Sequence, residues 1–227
     1  MAFLIGGANS AADTGYDIEN SLRFENADSA MLDITHGTPT STRIGTFSFW
    51  TKRCNLGAYQ YYLATQNGNG TDRDGIAISD TDDIDFRLGA GDSSPIRVKT
   101  NAKLRDPSAW YHIVVALDTT QGTEANRVKI YINGTLQTSL ATSDYPDQNY
   151  DYALNVSTGE RTSIGDDSRD SASSFLDAYL AEFFAIDGTQ YAASDFGETD
   201  SSGIWIPKDC KDDLTFGNSG FYMEFKQ

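Results

Sequence analysis

The chain has few of the residues on which reactive and membrane chemistry depend. Of 227 residues, two are cysteine, five proline and two histidine. No apolar run nears the roughly 18 residues that a membrane-spanning helix requires. The start, Met1 to Ile5 followed by Gly6 and Gly7, has neither a basic region nor a long hydrophobic stretch, so no export signal is expected. Cys54 and Cys210 are too few for a disulfide scaffold and lack the spacing of a metal knuckle or redox pair. One long-range bridge is the alternative to the two packed, reduced thiols expected of a chain made in a cytosol. Zinc would need more nitrogen and sulfur ligands than His36, His112 and these cysteines supply. There is no glycine-rich phosphate loop followed by a helix. Helical periodicity is scarce as well, with only residues 107–109 and 191–196 suited to a single turn.

Basic residues are also in short supply. Lys and Arg number 17 against 33 Asp and Glu, giving a net charge of −16. Without a basic stripe, that balance repels phosphate backbones and anionic headgroups, which removes nucleic acid and membrane surfaces as partners. The acid is 26 Asp and only 7 Glu. Aspartate caps and closes turns whereas glutamate favours helix interiors, so the charge is expected mostly in loops.

What the chain does contain suits a β-sandwich. Hydrophobic residues make up 39% and include 12 Phe, 12 Tyr and 3 Trp, enough to bury a core. The length fits one all-β domain. Short β-branched or aromatic runs closed by Gly, Asn, Asp or Ser recur from Leu22 to Phe225. Phe47 and Phe49 alternate with Ser48, Trp50 and Lys52; further strands are expected over 61–65, 75–78, 84–88, 96–100 and 110–117. The run from Trp110 to Leu117 is almost continuously apolar, as in a central strand buried on both faces. Asn133-Gly134 between alternating runs predicts a tight hairpin with a type I′ turn. In 175–186, Tyr179, Ala181 and Phe183 alternate with Ala178, Leu180, Glu182 and Phe184. Many short strands without long helices leave a sandwich or a barrel.

The segments Trp110-Tyr111-His112-Ile113-Val114-Val115-Ala116-Leu117-Asp118 and Val128-Lys129-Ile130-Tyr131-Ile132-Asn133-Gly134 resemble the concanavalin A-like lectin/glucanase superfamily, in particular its laminin G-like branch. Ser21-Leu22-Arg23-Phe24, Thr46 to Arg53, Arg105 to His112, Tyr179-Leu180-Ala181-Glu182, Asp195 to Asp200 and Gly220 to Phe225 extend the likeness over nearly the whole chain. These segments are similar to a laminin G-like family met among virion structural proteins of marine bacteriophages. The resemblance implies an antiparallel jelly-roll β-sandwich over residues 21–227, displayed on a virion as capsid decoration or tail appendage. Its partners would be other virion proteins and host surface polysaccharide, and a homo-oligomer is in keeping with it. Residues 1–20, rich in Gly, Ala, Ser and Asn, read as an amino-terminal arm.

No catalytic residues are expected. Glucanases of the superfamily hold two carboxylates on one strand, about 5–5.5 Å apart in a retaining enzyme. Neither Glu182 with Asp187 nor Glu198 with Asp200 reproduces their spacing, and Glu182 is expected to be solvated or paired to an arginine. His36 sits in a turn and is expected to be solvated, whereas His112 reads as a core residue. No cofactor is required. Calcium is the metal worth weighing, since it takes oxygen ligands from acidic loops. Asp80, Asp82 and Asp83 form one such loop and Asp166 and Asp167, with Arg169 and Asp170 beyond, form the other; the commoner alternative for each is a solvated loop. For sugar, the best stretch is residues 144–152, where Tyr145, Asn149, Tyr150 and Tyr152 could stack and hydrogen-bond a pyranose. The same tyrosines could instead pin the loop to the sandwich or face another virion protein.

Overall fold

Alternation such as Phe47, Ser48, Phe49, Trp50 divides a strand into two faces. The computed structural model describes residues 16–66, 73–90, 96–155, 160–168 and 173–226, and in it these faces stack two antiparallel sheets into a jelly-roll sandwich, as expected. Strands are numbered along the chain. The first sheet runs β1 (Leu22–Phe24), β13 (Ala178–Asp187), β3 (Ile44–Arg53), β8 (Tyr111–Asp118), β9 (Val128–Ile132) and β10 (Thr135–Leu136), with β16 (Phe221–Met223) also on β13. The second runs β11 (Leu140–Asp144), β7 (Ile96–Thr100), β6 (Ile84–Ala90), β5 (Arg73–Ile78), β4 (Gln60–Gln66), β12 (Thr162–Ile164) and β2 (Leu32–Ile34). A separate ribbon pairs β14 (Gly197–Thr199) with β15 (Trp205–Pro207).

The inward faces make one core. Phe49 stacks on Phe183 at 5.2 Å and meets Tyr62 at 4.8 Å, with Phe86, Ile76, Ile113 and Leu180 buried around them. Each such side chain contributes about 1.5–3 kcal/mol on leaving water. β8 is buried on both faces, as its apolar run predicts: Ile113, Val115 and Leu117 enter the core, while Val114 joins Phe184, Ile186, Phe196 and Cys210 on the other side. That second cluster forms because the chain beyond β13 folds back across the outer face, bringing Trp205, Phe216 and Tyr222 with it. The Asn133-Gly134 hairpin also holds, with φ of 47° and 75°. Gly134 is required twice over, because the Trp205 ring lies where a Cβ would stand.

β13 departs from its simple alternation. Ala181 pairs with Trp50 and Phe184 with Ser48, so Glu182 and Phe183 together oppose Phe49 in a β-bulge. Glu182 takes a left-handed φ of 49°. The extra residue reverses the phase: Phe183 enters the core and Phe184 turns outward, against the expectation from sequence. It also divides the free edge of β13, with β1 pairing before the bulge and β16 after it. Of the expected arm, residues 1–15 lie outside the described residues. Tyr16 donates its hydroxyl to Glu182 at 3.2 Å.

The acid is not confined to solvated loops. Asp74, Asp82, Asp83, Asp85, Asp118, Asp166, Asp167 and Asp187 are all buried. Asp187 accepts the backbone N–H groups of Thr40, Ser41 and Ser219 at 2.6, 2.9 and 3.0 Å, and Asp74 accepts those of Gly89 and Ala153. Arg53, at the end of β3, donates to Asp82 at 2.8 Å and to the Leu104 carbonyl, tying the first sheet to the β5–β6 turn of the second. Removing one member of a buried pair strands the other charge at a cost of about 3–5 kcal/mol. Asp82→Asn is therefore expected to destabilise the fold by about that amount, read as a lower urea midpoint with an unchanged slope. A loss below about 0.5 kcal/mol would show that the link between sheets carries no weight.

Candidate functional site

The 144–152 stretch is pinned to the sandwich. Arg127 donates to the Pro146 carbonyl, the Asn149 N–H to Thr119 O and the Thr119 hydroxyl to Tyr150 O. Tyr152 is 3% exposed and belongs to the core, with Tyr145 and Tyr150 packed against its margin. Only Asn149 of the four candidates stands exposed, on a left-handed turn with φ of 64°. Tyr152 thus has no face to offer a sugar, and the loop-packing alternative describes this stretch.

The acidic loops are equally committed. Asp82 accepts from Arg53, Arg105 and the Gly57 N–H, and Asp83 from Ser79, Thr81, Lys99 and Lys103. Asp166 accepts from Arg161, Ser163 and the Ser168 N–H, and Asp167 from Ser173. Asp80 alone is exposed; Arg169 and Asp170 lie outside the described residues. The expectation of solvated loops is overturned, because four of the five carboxylates are buried, Asp82 and Asp83 against partners distant in sequence and Asp166 and Asp167 against residues of their own loop. These donor sets do not fit a divalent cation either. Their oxygens face arginine, lysine and N–H groups, and among the described residues no three His, Cys, Asp or Glu side chains gather. Against the rise that burial would give, the Gly57 N–H with Arg53 and Arg105 holds the Asp82 carboxyl below the usual carboxylate range, and Lys103 with Ser79, Thr81 and Lys99 does so for Asp83.

His36 is buried, correcting the solvated expectation, and burial lowers its pKa. His112, 1% exposed, stacks on Trp50 at 4.9 Å; its Nε2 lies 2.8 Å from Ser48 Oγ, and Trp205 Nε1 donates to Nδ1 at 3.0 Å. Because indole only donates, the proton of the neutral ring sits on Nε2 and points at the serine. Burial pushes the His112 pKa down to about 3. Glu182 is buried and, among the described residues, pairs with no arginine. Tyr222 donates to it at 2.7 Å and Tyr16 at 3.2 Å. Cys54 and Cys210 are free thiols, Cys54 exposed rather than packed, and burial raises the Cys210 thiol to about 12.

One surface feature escaped the sequence reading. β13 pairs Tyr179 with Arg23 of β1 on one side and Lys52 of β3 on the other. Trp110 directly precedes Tyr111, the partner of Thr51, and so extends the row Arg23, Tyr179, Lys52. The row lies on the outer face of the first sheet, beyond the reach of the covering segment. Trp110 and Tyr179 are 38% and 36% exposed, with ring centroids 6.5 Å apart and planes at 61°. The Arg23 guanidinium sits 5.5 Å over the Tyr179 ring, paired with Glu25 at 2.8 Å and Asp177 at 2.6 Å. Exposure of Trp110 is the available signal: as the first residue of its run, it lies just before the strand.

A sandwich with locked interior acids and open aromatic rings on one sheet is a lectin-like architecture. The chain belongs to the concanavalin A-like lectin/glucanases superfamily, through a laminin G family model that matches residues 26–193. Similar solved structures include a native heptameric SAP-like pentraxin from Limulus polyphemus, with 15% identity over 78% of this chain and 80% of that one, TM-score 0.55. Another is the CBM40 of Ruminococcus gnavus IT-sialidase, with 14% identity over 78% and 95%, TM-score 0.51. A third is tailspike protein 2 of Escherichia coli O157:H7 bacteriophage CAB120, with 13% identity over 78% and 23%, TM-score 0.50. At these identities the likeness is one of fold. A search of curated proteins gave no match. Among the described residues no helix is long and apolar enough to cross a membrane.

Glu182 offers a direct check. Burial raises its pKa, with Glu224 and Asp209 adding to the rise and the tyrosine hydroxyls opposing it. The native state then holds a proton that the unfolded chain has released, so Glu182 makes stability fall as pH climbs from about 4.5 through the folded value. Glu182→Gln removes that fall. The difference in unfolding free energy between variant and parent should move in the variant's favour across this window; a difference independent of pH would contradict it.

Proposed function

We propose that the chain is a non-enzymatic contact module of a bacteriophage particle, a capsid decoration or part of a tail appendage. Its partners are other virion proteins and host surface polysaccharide, and it works without calcium. The observation that carries this reading is the contrast between groups that could react and groups that can only touch. Glu182 is capped by two tyrosines, Asp187 by three backbone N–H groups, and His112 holds its proton toward Ser48, whereas Trp110 and Tyr179 stand open. The residue-level resemblance to phage virion proteins supports the setting, and the likeness in fold to part of a phage tailspike is in keeping with it. Several copies on one particle would add weak contacts into useful avidity.

Mass spectrometry and antibody labelling of purified particles should find the chain in stoichiometric amount on the virion. The pure protein should release no reducing ends from polysaccharide, and EDTA should leave its melting temperature unchanged. Particles lacking the chain, or hydrolysis that disappears with Glu182→Gln, would overturn the assignment.

A further inference from the structure

The outer face of the first sheet is covered unevenly, and the Arg23, Tyr179, Lys52, Trp110 row is left open. We propose that this row binds a neutral hexopyranose chain. The proposal rests on the contact role above and places its sugar contact on the sheet rather than on the 144–152 loop.

Three features point to that ligand. The first is shape: two exposed rings inclined at 61° give a floor and a wall, against which the C–H faces of a pyranose pack. Strands lie about 4.8 Å apart, so a row from β1 to the start of β8 spans roughly 14 Å, enough for more than one sugar ring. The second is hydrogen bonding. Lys52, half-buried at the row position between Tyr179 and Trp110, has no ion-pair partner among the described residues and offers a donor, while Glu25 and Asp177 offer acceptors beside Tyr179. Hydroxyl groups use both.

The third is charge. Arg23 and Lys52 face Glu25, Asp177 and Asp106, two cations against three carboxylates; Ser108 chiefly holds the Asp106 carboxyl low, with the Lys52 charge adding to it. The chain as a whole carries −16. A carboxylated or sulfated saccharide would meet a repulsive field here, whereas an uncharged one would not. A second copy of the chain suits the row less well. Four residues fall far short of the roughly 20–30 per side that a stable protein interface uses.

Calorimetric titration of the full chain with cellotetraose, maltotetraose and galactotetraose, and with tetragalacturonate, tests the site. At least one neutral tetraose should bind. Trp110→Ala and Tyr179→Ala should each weaken it about tenfold with an unchanged melting temperature, and Tyr150→Ala should leave it unaltered. Tetragalacturonate should bind at least about tenfold more weakly at low salt, the gap narrowing as salt screens the carboxylates. Equal or tighter binding of the acidic sugar, neutral binding that survives Trp110→Ala, or silence from every probe would each overturn the proposal. So would self-association abolished by Trp110→Ala. Silence with the chain still present on particles would remove this site and leave the contact role standing.

Discussion

A carboxylate enclosed between two sheets must find donors or cost several kcal/mol, and this constraint organises the molecule. Asp82 meets Arg53 across the sandwich, Asp74 ties the β6 end to Ala153, and Asp187 gathers Thr40, Ser41 and Ser219 around the end of β13. Each joins segments far apart in the chain. The loops at the sandwich ends are thereby stapled by acids, and this use of the side chain accounts for the aspartate-rich composition.

The location of the open surface follows from a single inserted residue. Glu182 shifts the phase of β13, sends Phe184 outward and leaves room for β16 beyond β1. Phe184 then meets Tyr222 at 4.6 Å and Phe196 at 5.4 Å, anchoring the segment that returns over the sheet. Cover is dense from Ala181 and Trp50 onward and thins at Tyr179. Tyr179, three residues upstream of Glu182, stays with Arg23 and Lys52 on the exposed side.

Local pattern carried most of the fold and little of the surface. The strands and the Asn133-Gly134 turn were legible because period-two alternation and positive φ are properties of neighbouring residues. His112 was legible for the same reason, lying inside a continuous apolar run. The bulge was not, since one extra residue in Ala181-Glu182-Phe183-Phe184 still reads as alternation. Nor was the burial of His36, Asp82 or Asp166, whose turns look polar until residues elsewhere in the chain close over them. Trp110 was absorbed into the strand that follows it, although an end position is where an aromatic escapes burial. The tyrosines at 145, 150 and 152 announced a ring-rich loop, but only long-range contacts decide which way the rings face.

Ser48 and His112 are side chains familiar from hydrolases, and their setting here differs from a hydrolytic one. A serine beside an imidazole becomes a nucleophile only if the ring can take its proton and a third group steadies the charge that forms. Here the tryptophan at position 205 donates to Nδ1, fixing the tautomer that points Nε2–H at the hydroxyl, and burial disfavours the imidazolium. Among the described residues no carboxylate bonds the ring, which lies stacked between Trp50 and Trp205. The desolvation that locks Glu182 and His112 into packing is absent over Trp110 and Tyr179. The rings of Trp110 and Tyr179 are left facing solvent, so the recognition proposed for this face would work through shape and hydrogen bonding.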